Sequence, residues 1–176
     1  MNNSQMKEFS KLALSVFNEA LSSYDFKKVS KKTESDYCKI VFVNGERYIV
    51  ITANSDPRDS PAYFNIVLGE GSHSFPDTDW NAVALWRLKN YIDNNDRASE
   101  YDLETSKSIS GLLELSKIEL LKYGADFLAN DLRYFRQTRS QMNRDRKPYK
   151  RTWRNEKGEY ITVYDPESMK LKEMYS

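Results

Sequence analysis

Residues 37–53 read YCKIVFVNGERYIVITA, and the fold turns on how they are read. Two runs rich in β-branched and aromatic residues flank Asn44-Gly45. An Asn-Gly pair tolerates positive φ at both central positions of a type I′ turn, so the stretch predicts a hairpin with strands over 37–43 and 46–53. A third run, AYFNIVLG at 62–69, follows NSDPRDSP, whose prolines and aspartates forbid regular structure. Residues 26–31 supply a further short strand. The expected sheet is an antiparallel meander of three to five strands, which buries one face and needs helices over it.

Helical periodicity supplies the cover. Met6, Phe9, Leu12, Ala13, Val16, Phe17, Ala20 and Leu21 recur at three- and four-residue steps, predicting a helix over 4–23. WNAVALWRLKNYI at 80–92 reads as a second helix, capped by Asp77 or Asp79. A long third helix is expected over 111–142, with Leu112, Leu115, Ile118, Leu121, Ala125, Leu128, Leu132 and Phe135 as its apolar stripe. Gly124 would weaken it by about 1 kcal/mol relative to Ala. RTWRNEKGEYITVYDP reads as a small hairpin turning at Asn155 to Gly158, and ESMKLKEMYS as a last helical turn or a frayed end. The fold class is therefore α+β: a meander covered by three helices, with a C-terminal hairpin or tail. Residues 1–142 form the globular domain, and the basic segment and hairpin of 143–176 pack on it.

Composition narrows the chemistry. One cysteine allows no intrachain disulfide, and Cys38 sits in an apolar alternation that reads as a buried thiol. No apolar run approaches the roughly 20 residues of a membrane span, so no membrane association is expected. Glu8 interrupts the apolar residues near the start, which argues against a secretory signal and for the cytoplasm. P-loop, GxGxxG, GxSxG and HExxH patterns are missing. One histidine and one cysteine cannot build the common zinc sites, and no cofactor is expected.

The chain reads as non-enzymatic, with one competing site, a small-molecule-binding or hydrolase-like pocket in the 69–79 loop. His73 stands among Glu70, Asp77 and Asp79, where a carboxylate could orient an imidazole base; a polar loop with a helix cap is the simpler reading. Gly69 and Gly71 would let backbone N–H groups approach an anion, although Glu70 between them opposes it. Arg47, Tyr48, Arg58, Tyr63 and Asn65 could line a sheet face that stacks bases, but core packing is the better reading for the aromatics.

The strongest local feature is DLRYFRQTRSQMNRDRKPYKRTWR, residues 131–154, with nine Lys or Arg against two Asp, net +7. Residues 1–130 hold 15 Lys or Arg against 19 Asp or Glu, net −4, and residues 155–176 hold three against five, net −2. Arg133, Arg136 and Arg139 follow at three-residue steps and are read as sharing one helix face; Arg144, Tyr149, Arg151 and Trp153 continue the segment. Arginine forks and aromatic anchors suit an acidic protein partner. They also suit nucleic acid, though a net charge of +1 for the whole chain argues against a dedicated nucleic-acid binder. The competing reading is a solvated face paired with the acidic body.

The order of elements, with FKKVSKK, a meander ending FNIVLGEG, then DWNAVALWRLKNYI and a long closing helix, resembles small uncharacterised bacterial α+β families. Some of these stand beside polymorphic toxins as immunity proteins. The resemblance covers roughly residues 4–142 and includes DFKK, where Asp25 replaces a glycine. It implies a cytoplasmic protein that works by binding and occluding a partner, with no cofactor and no catalytic residues. The basic region and the terminal hairpin depart from that layout.

Overall fold

The computed structural model describes residues 3–54, 63–71, 73, 80–95, 101–102 and 108–176. Along them run α1 (Asn3–Ser22), β1 (Lys27–Thr33), β2 (Tyr37–Asn44), β3 (Arg47–Asn54), β4 (Tyr63–Glu70), β5 (Ala82–Ala84), α2 (Leu85–Asp93) and β6 (Tyr101–Asp102). The chain continues through α3 (Ile109–Tyr123), α4 (Ala125–Leu128), α5 (Arg133–Arg144), β7 (Lys150–Arg154), β8 (Tyr160–Tyr164) and α6 (Pro166–Tyr175). The class is α+β, as expected.

β1 to β5 lie side by side in chain order, every pair antiparallel. β5 and the two-residue β6 share the outer edge of β4, at its two ends. The central turn is shifted by one residue from the Asn-Gly expectation. Asn44 pairs with Arg47, so Gly45 and Glu46 are the two turn residues. Gly45 has φ 58° and Glu46 is not at positive φ, the pattern of a type II′ turn rather than type I′. Asn44 is occupied elsewhere: its side-chain amide donates to the Tyr24 carbonyl at 2.8 Å, tying β2 to the loop after α1. In that loop Asp25 takes φ 62°, a left-handed position that favours glycine.

One sheet face carries Ile40 and Phe42 of β2, Ile49 and Ile51 of β3, Phe64, Ile66 and Leu68 of β4 and Val83 of β5, all fully buried. Met6, Phe9, Ala13, Phe17 and Leu21 of α1 pack on it as the three- and four-residue spacing predicts. Each of the large apolar side chains among them contributes about 1.5–3 kcal/mol relative to exposure. Five helices, α1 to α5, supply residues to this core, where three were expected.

Two helix expectations are corrected. The 80–92 segment starts as strand β5, because Ala82, Val83 and Ala84 complete the edge of β4; the helix begins only at Leu85. The 111–142 helix is broken into three. A Cβ on Gly124 would lie 2.6 Å from the Leu120 carbonyl oxygen, and Asn130 takes φ 70° before α5 starts. The stripe is rotated as well: Leu112, Leu113, Ser116 and Leu120 are buried, while Leu115 is 50% and Ile118 is 59% exposed. Leu112, Leu115, Ile118 and Leu121 advance by three residues, about 300° of turn, so the projected stripe steps back by about 60° each time and leaves the face that α3 buries. The terminal segment is a full helix of ten residues, with Asp165 as N-cap accepting from the Ser168 N–H at 2.8 Å and Pro166 in its first turn.

Candidate functional site

β4 ends at Glu70, and two of the arginines singled out in the sequence converge on it. Arg139 Nη1 donates to Glu70 Oε2 at 2.7 Å, Arg136 Nε donates to the same oxygen at 3.2 Å, and Arg136 Nη2 pairs with Oε1. Burial alone would push the Glu70 carboxyl up. The hydrogen bonds and charges of Arg136 and Arg139 outweigh it and hold the group below the ordinary carboxylate range.

The inner face of α5 continues past Phe135 in polar residues. Thr138, Arg139 and Asn143 are all buried. The Arg139 guanidinium lies 5.2 Å from the Phe135 ring centroid and 4.6 Å from that of Tyr175 in α6. Asn143 donates to the Trp80 carbonyl at 2.8 Å and to the Tyr175 carbonyl at 2.9 Å. Arg136, Arg139 and Asn143 thus fasten α5 between the end of β4, the start of β5 and α6. The three-residue spacing does not keep Arg133, Arg136 and Arg139 on one face. Three residues turn a helix by about 300°, so each arginine steps back by about 60°. Arg133 is 62% exposed beside Asp131, and Arg139 is 10% exposed.

The rest of the basic segment lies outside this knot. β7 and β8 form a separate two-stranded antiparallel ribbon in which all ten strand residues are exposed. The pairing places Lys150, Thr152, Arg154, Tyr160, Thr162 and Tyr164 on one side and Arg151, Trp153, Ile161 and Val163 on the other. Trp153 is 47% and Tyr160 76% exposed. The ribbon is anchored at its base: the Asp165 N–H donates to the Tyr149 carbonyl at 2.7 Å, the Tyr149 N–H donates to Ser168 Oγ at 2.9 Å, and Arg151 pairs with Asp165. Arg154 folds back over the turn, donating to the Gly158 carbonyl at 2.9 Å. Arg144 and Lys147 are exposed and make no ion pair among the described residues.

The competing loop is partly described. His73 meets the Tyr48 ring edge-on, with centroids 6.2 Å apart. Glu70 is held by its two arginines, and Asp77 and Asp79 lie outside the described residues. The Gly71 N–H donates to the Glu46 carbonyl at 2.6 Å, and Gly69 lies against the Tyr48 ring, so both glycines serve packing. Arg47 and Tyr48 project to opposite faces. Arg47 donates to the Phe127 and Leu128 carbonyls at 2.6 and 2.8 Å, capping α4, while Tyr48 donates to Asn81 at 3.0 Å. Asn65, paired with Thr52, is buried further along the Tyr48 face; Arg58 and the Tyr63 side chain lie outside the described residues. Cys38 is buried and unpaired, as read.

Asn143 and Tyr175 were not anticipated as part of the knot. Their signal lay in Thr138, Arg139 and Asn143, which keep the helical phase of Phe135 after its apolar stripe stops. No helix among the described residues is long and apolar enough to cross a membrane. Comparison with protein-family models, with curated proteins and with solved structures finds no match for this chain.

Proposed function

We propose that this chain is a non-enzymatic binding protein that takes an acidic protein partner on its basic, aromatic ribbon and occludes it. One observation carries the reading: cationic and aromatic side chains that the fold does not consume are gathered on an anchored two-stranded projection and on the end of α5 and the loop that lead into it. Arg136 and Arg139 neutralise Glu70 and are withdrawn from the proposed surface. Arg144, Lys147 and Lys150 remain for the partner's carboxylates, with Trp153 and Tyr160 as anchors; Arg151 and Tyr149 border them but are already engaged, Arg151 with Asp165 and the Tyr149 hydroxyl with Arg146. Arginine pairs with carboxylates through two parallel hydrogen bonds, and partly exposed aromatic rings are the usual centres of interface energy. Arg133, at the far end of α5, contributes long-range steering at most. The reading places the encounter in the cytoplasm, which suits a single buried thiol. The immunity-like role belongs to the same proposal, with the ribbon as the occluding element.

The test is capture of partners from the native lysate by the tagged chain and by a Lys150→Glu/Trp153→Ala variant, with nuclease present. A protein retained by the first, lost from the variant and weakened by salt supports the reading. Identical capture by both sinks it. Retention that vanishes with nuclease replaces it with the nucleic-acid alternative, whose mark is a steep salt slope.

A further inference from the structure

Exposed strand edges are normally blunted by charge, proline or a bulge, because unpaired backbone groups invite another strand. β1 carries Lys27, Lys28, Lys31 and Lys32 and a register irregularity between Lys28 and Ser30. β7 carries Lys150, Arg151 and Arg154 and follows Pro148. β8 has none of these: it reads YITVY, is exposed throughout and pairs with β7 in unbroken register.

The hydrogen-bond phase of the ribbon shows which backbone groups face outward. The Asp165 N–H donates to the Tyr149 carbonyl at 2.7 Å, and the Asn155 N–H donates to the Glu159 carbonyl at 2.9 Å. Hydrogen-bonded and non-hydrogen-bonded pairs alternate in an antiparallel ladder. The bonded pairs are therefore Arg151 with Val163 and Trp153 with Ile161. Lys150 with Tyr164, Thr152 with Thr162 and Arg154 with Tyr160 are non-bonded pairs. The 2.8 Å between the Thr152 and Thr162 hydroxyls fits the closer spacing of a non-bonded pair. The N–H and C=O groups of Tyr160, Thr162 and Tyr164 consequently point away from β7.

YITVY is nearly the same read in either direction about Thr162. A two-fold axis at Thr162 sets Tyr160 opposite Tyr164 of a second copy, Thr162 opposite itself, and Ile161 opposite Val163. The three outward-facing residues then form hydrogen-bonded pairs with their counterparts, each exchanging two bonds. Ile161 and Val163 of both copies pack beside Trp153, as cross-strand β-branched and aromatic pairs do. The charged β7 strands end up on the outside of a four-stranded sheet. Three strand spacings, about 14 Å, separate them, more than the screening length of about 8 Å at physiological salt. A lone hairpin is marginal in water, and a four-stranded sheet is not.

We propose that the chain forms a symmetric homodimer by antiparallel pairing of β8 with β8 of a second copy, centred on Thr162. The interface is independent of the partner's identity, so its test needs no partner. Light scattering on the full chain across a concentration series should show a species of twice 20.6 kDa. Thr162→Pro removes an outward N–H that serves no bond within the ribbon; it should weaken dimerisation at least ten-fold and leave the monomer folded by circular dichroism, with any fall in melting temperature confined to concentrations at which the unsubstituted chain is dimeric. Should that variant misfold, Thr162→Cys decides. Hydrogen-bonded pairs place Cα atoms about 5.5 Å apart, within disulfide range. Mild oxidation should therefore cross-link Thr162→Cys chains and leave Thr152→Cys chains single. A monomer at every concentration with no Thr162→Cys cross-link overturns the proposal. So does a dimer indifferent to Thr162→Pro.

Discussion

Arg139 donates to Glu70 at 2.7 Å with both side chains largely withdrawn from water, 10% and 15% exposed. A residue that reads as part of a binding surface is thereby a tie between α5 and the end of β4. Glu70→Ala would leave a buried guanidinium without its counter-charge. The expected loss is about 3 kcal/mol, as for other broken buried pairs. Arg136 is 58% exposed, so Arg136→Ala should cost less than about 1 kcal/mol. Denaturant titration of the two variants separates them; equal losses would show that the burial difference is not what sets the cost.

The same tie gives stability a pH dependence. The folded-state Glu70 carboxyl is held below its ordinary value of 4.5, so the unfolded chain takes up the proton first as pH falls. The contribution is fully present above the ordinary value and is lost as pH drops through the lower folded-state value. The melting-temperature gap between the native chain and Glu70→Gln should stay constant from neutral pH down to the ordinary carboxylate range and close below it. A gap that widens on acidification would reverse the sign assigned to this group.

The meander and α1 were legible because each rests on a local rule. Strand alternation and a three- and four-residue stripe do not depend on distant parts of the chain. The turn at Gly45-Glu46 was displaced because Asn44 has a tertiary use, the Tyr24 carbonyl, that no local rule contains. The break at Gly124 was hidden for a related reason: glycine inside a helical pattern costs only about 1 kcal/mol, so the pattern alone does not stop there. The fate of Arg136 and Arg139 depended on Glu70, 66 and 69 residues away in sequence. Charge counts showed that an acidic body existed but not which carboxylate would be met. The ribbon, set by a local turn and local alternation, was readable.

Helix propensity alone says that Gly124→Ala should stabilise the chain by about 1 kcal/mol. The packing says otherwise. The added methyl would sit 2.6 Å from the Leu120 carbonyl oxygen and 3.0 Å from Leu120 Cδ1, and neither the backbone nor a fully buried leucine yields cheaply. Overpacking of this kind costs about 1–3 kcal/mol, so a net loss is expected. A rise in melting temperature for this variant would mean that α3 and α4 can merge into one continuous helix.

The sharpest contrast is between Trp80 and Trp153. Trp80 is fully buried, lies 4.8 Å from the Arg146 guanidinium and accepts the Asn143 amide at its carbonyl. Trp80→Ala should therefore cost about 3–5 kcal/mol, the range for large aromatic truncations in a core. Trp153 is 47% exposed on a ribbon whose strands bury none of their residues. Substitutions at such positions usually change stability by less than about 0.5 kcal/mol. If Trp153 is an anchor for the acidic partner, Trp153→Ala should lower partner affinity ten-fold or more while the melting temperature stays within a degree or so. Titration of the captured partner against both chains, run beside thermal melts, reads the two effects separately. A Trp153→Ala chain that keeps full affinity would move the contact to the opposite, tyrosine-and-lysine side of the ribbon. One that loses both affinity and stability would show that the ring supports the fold.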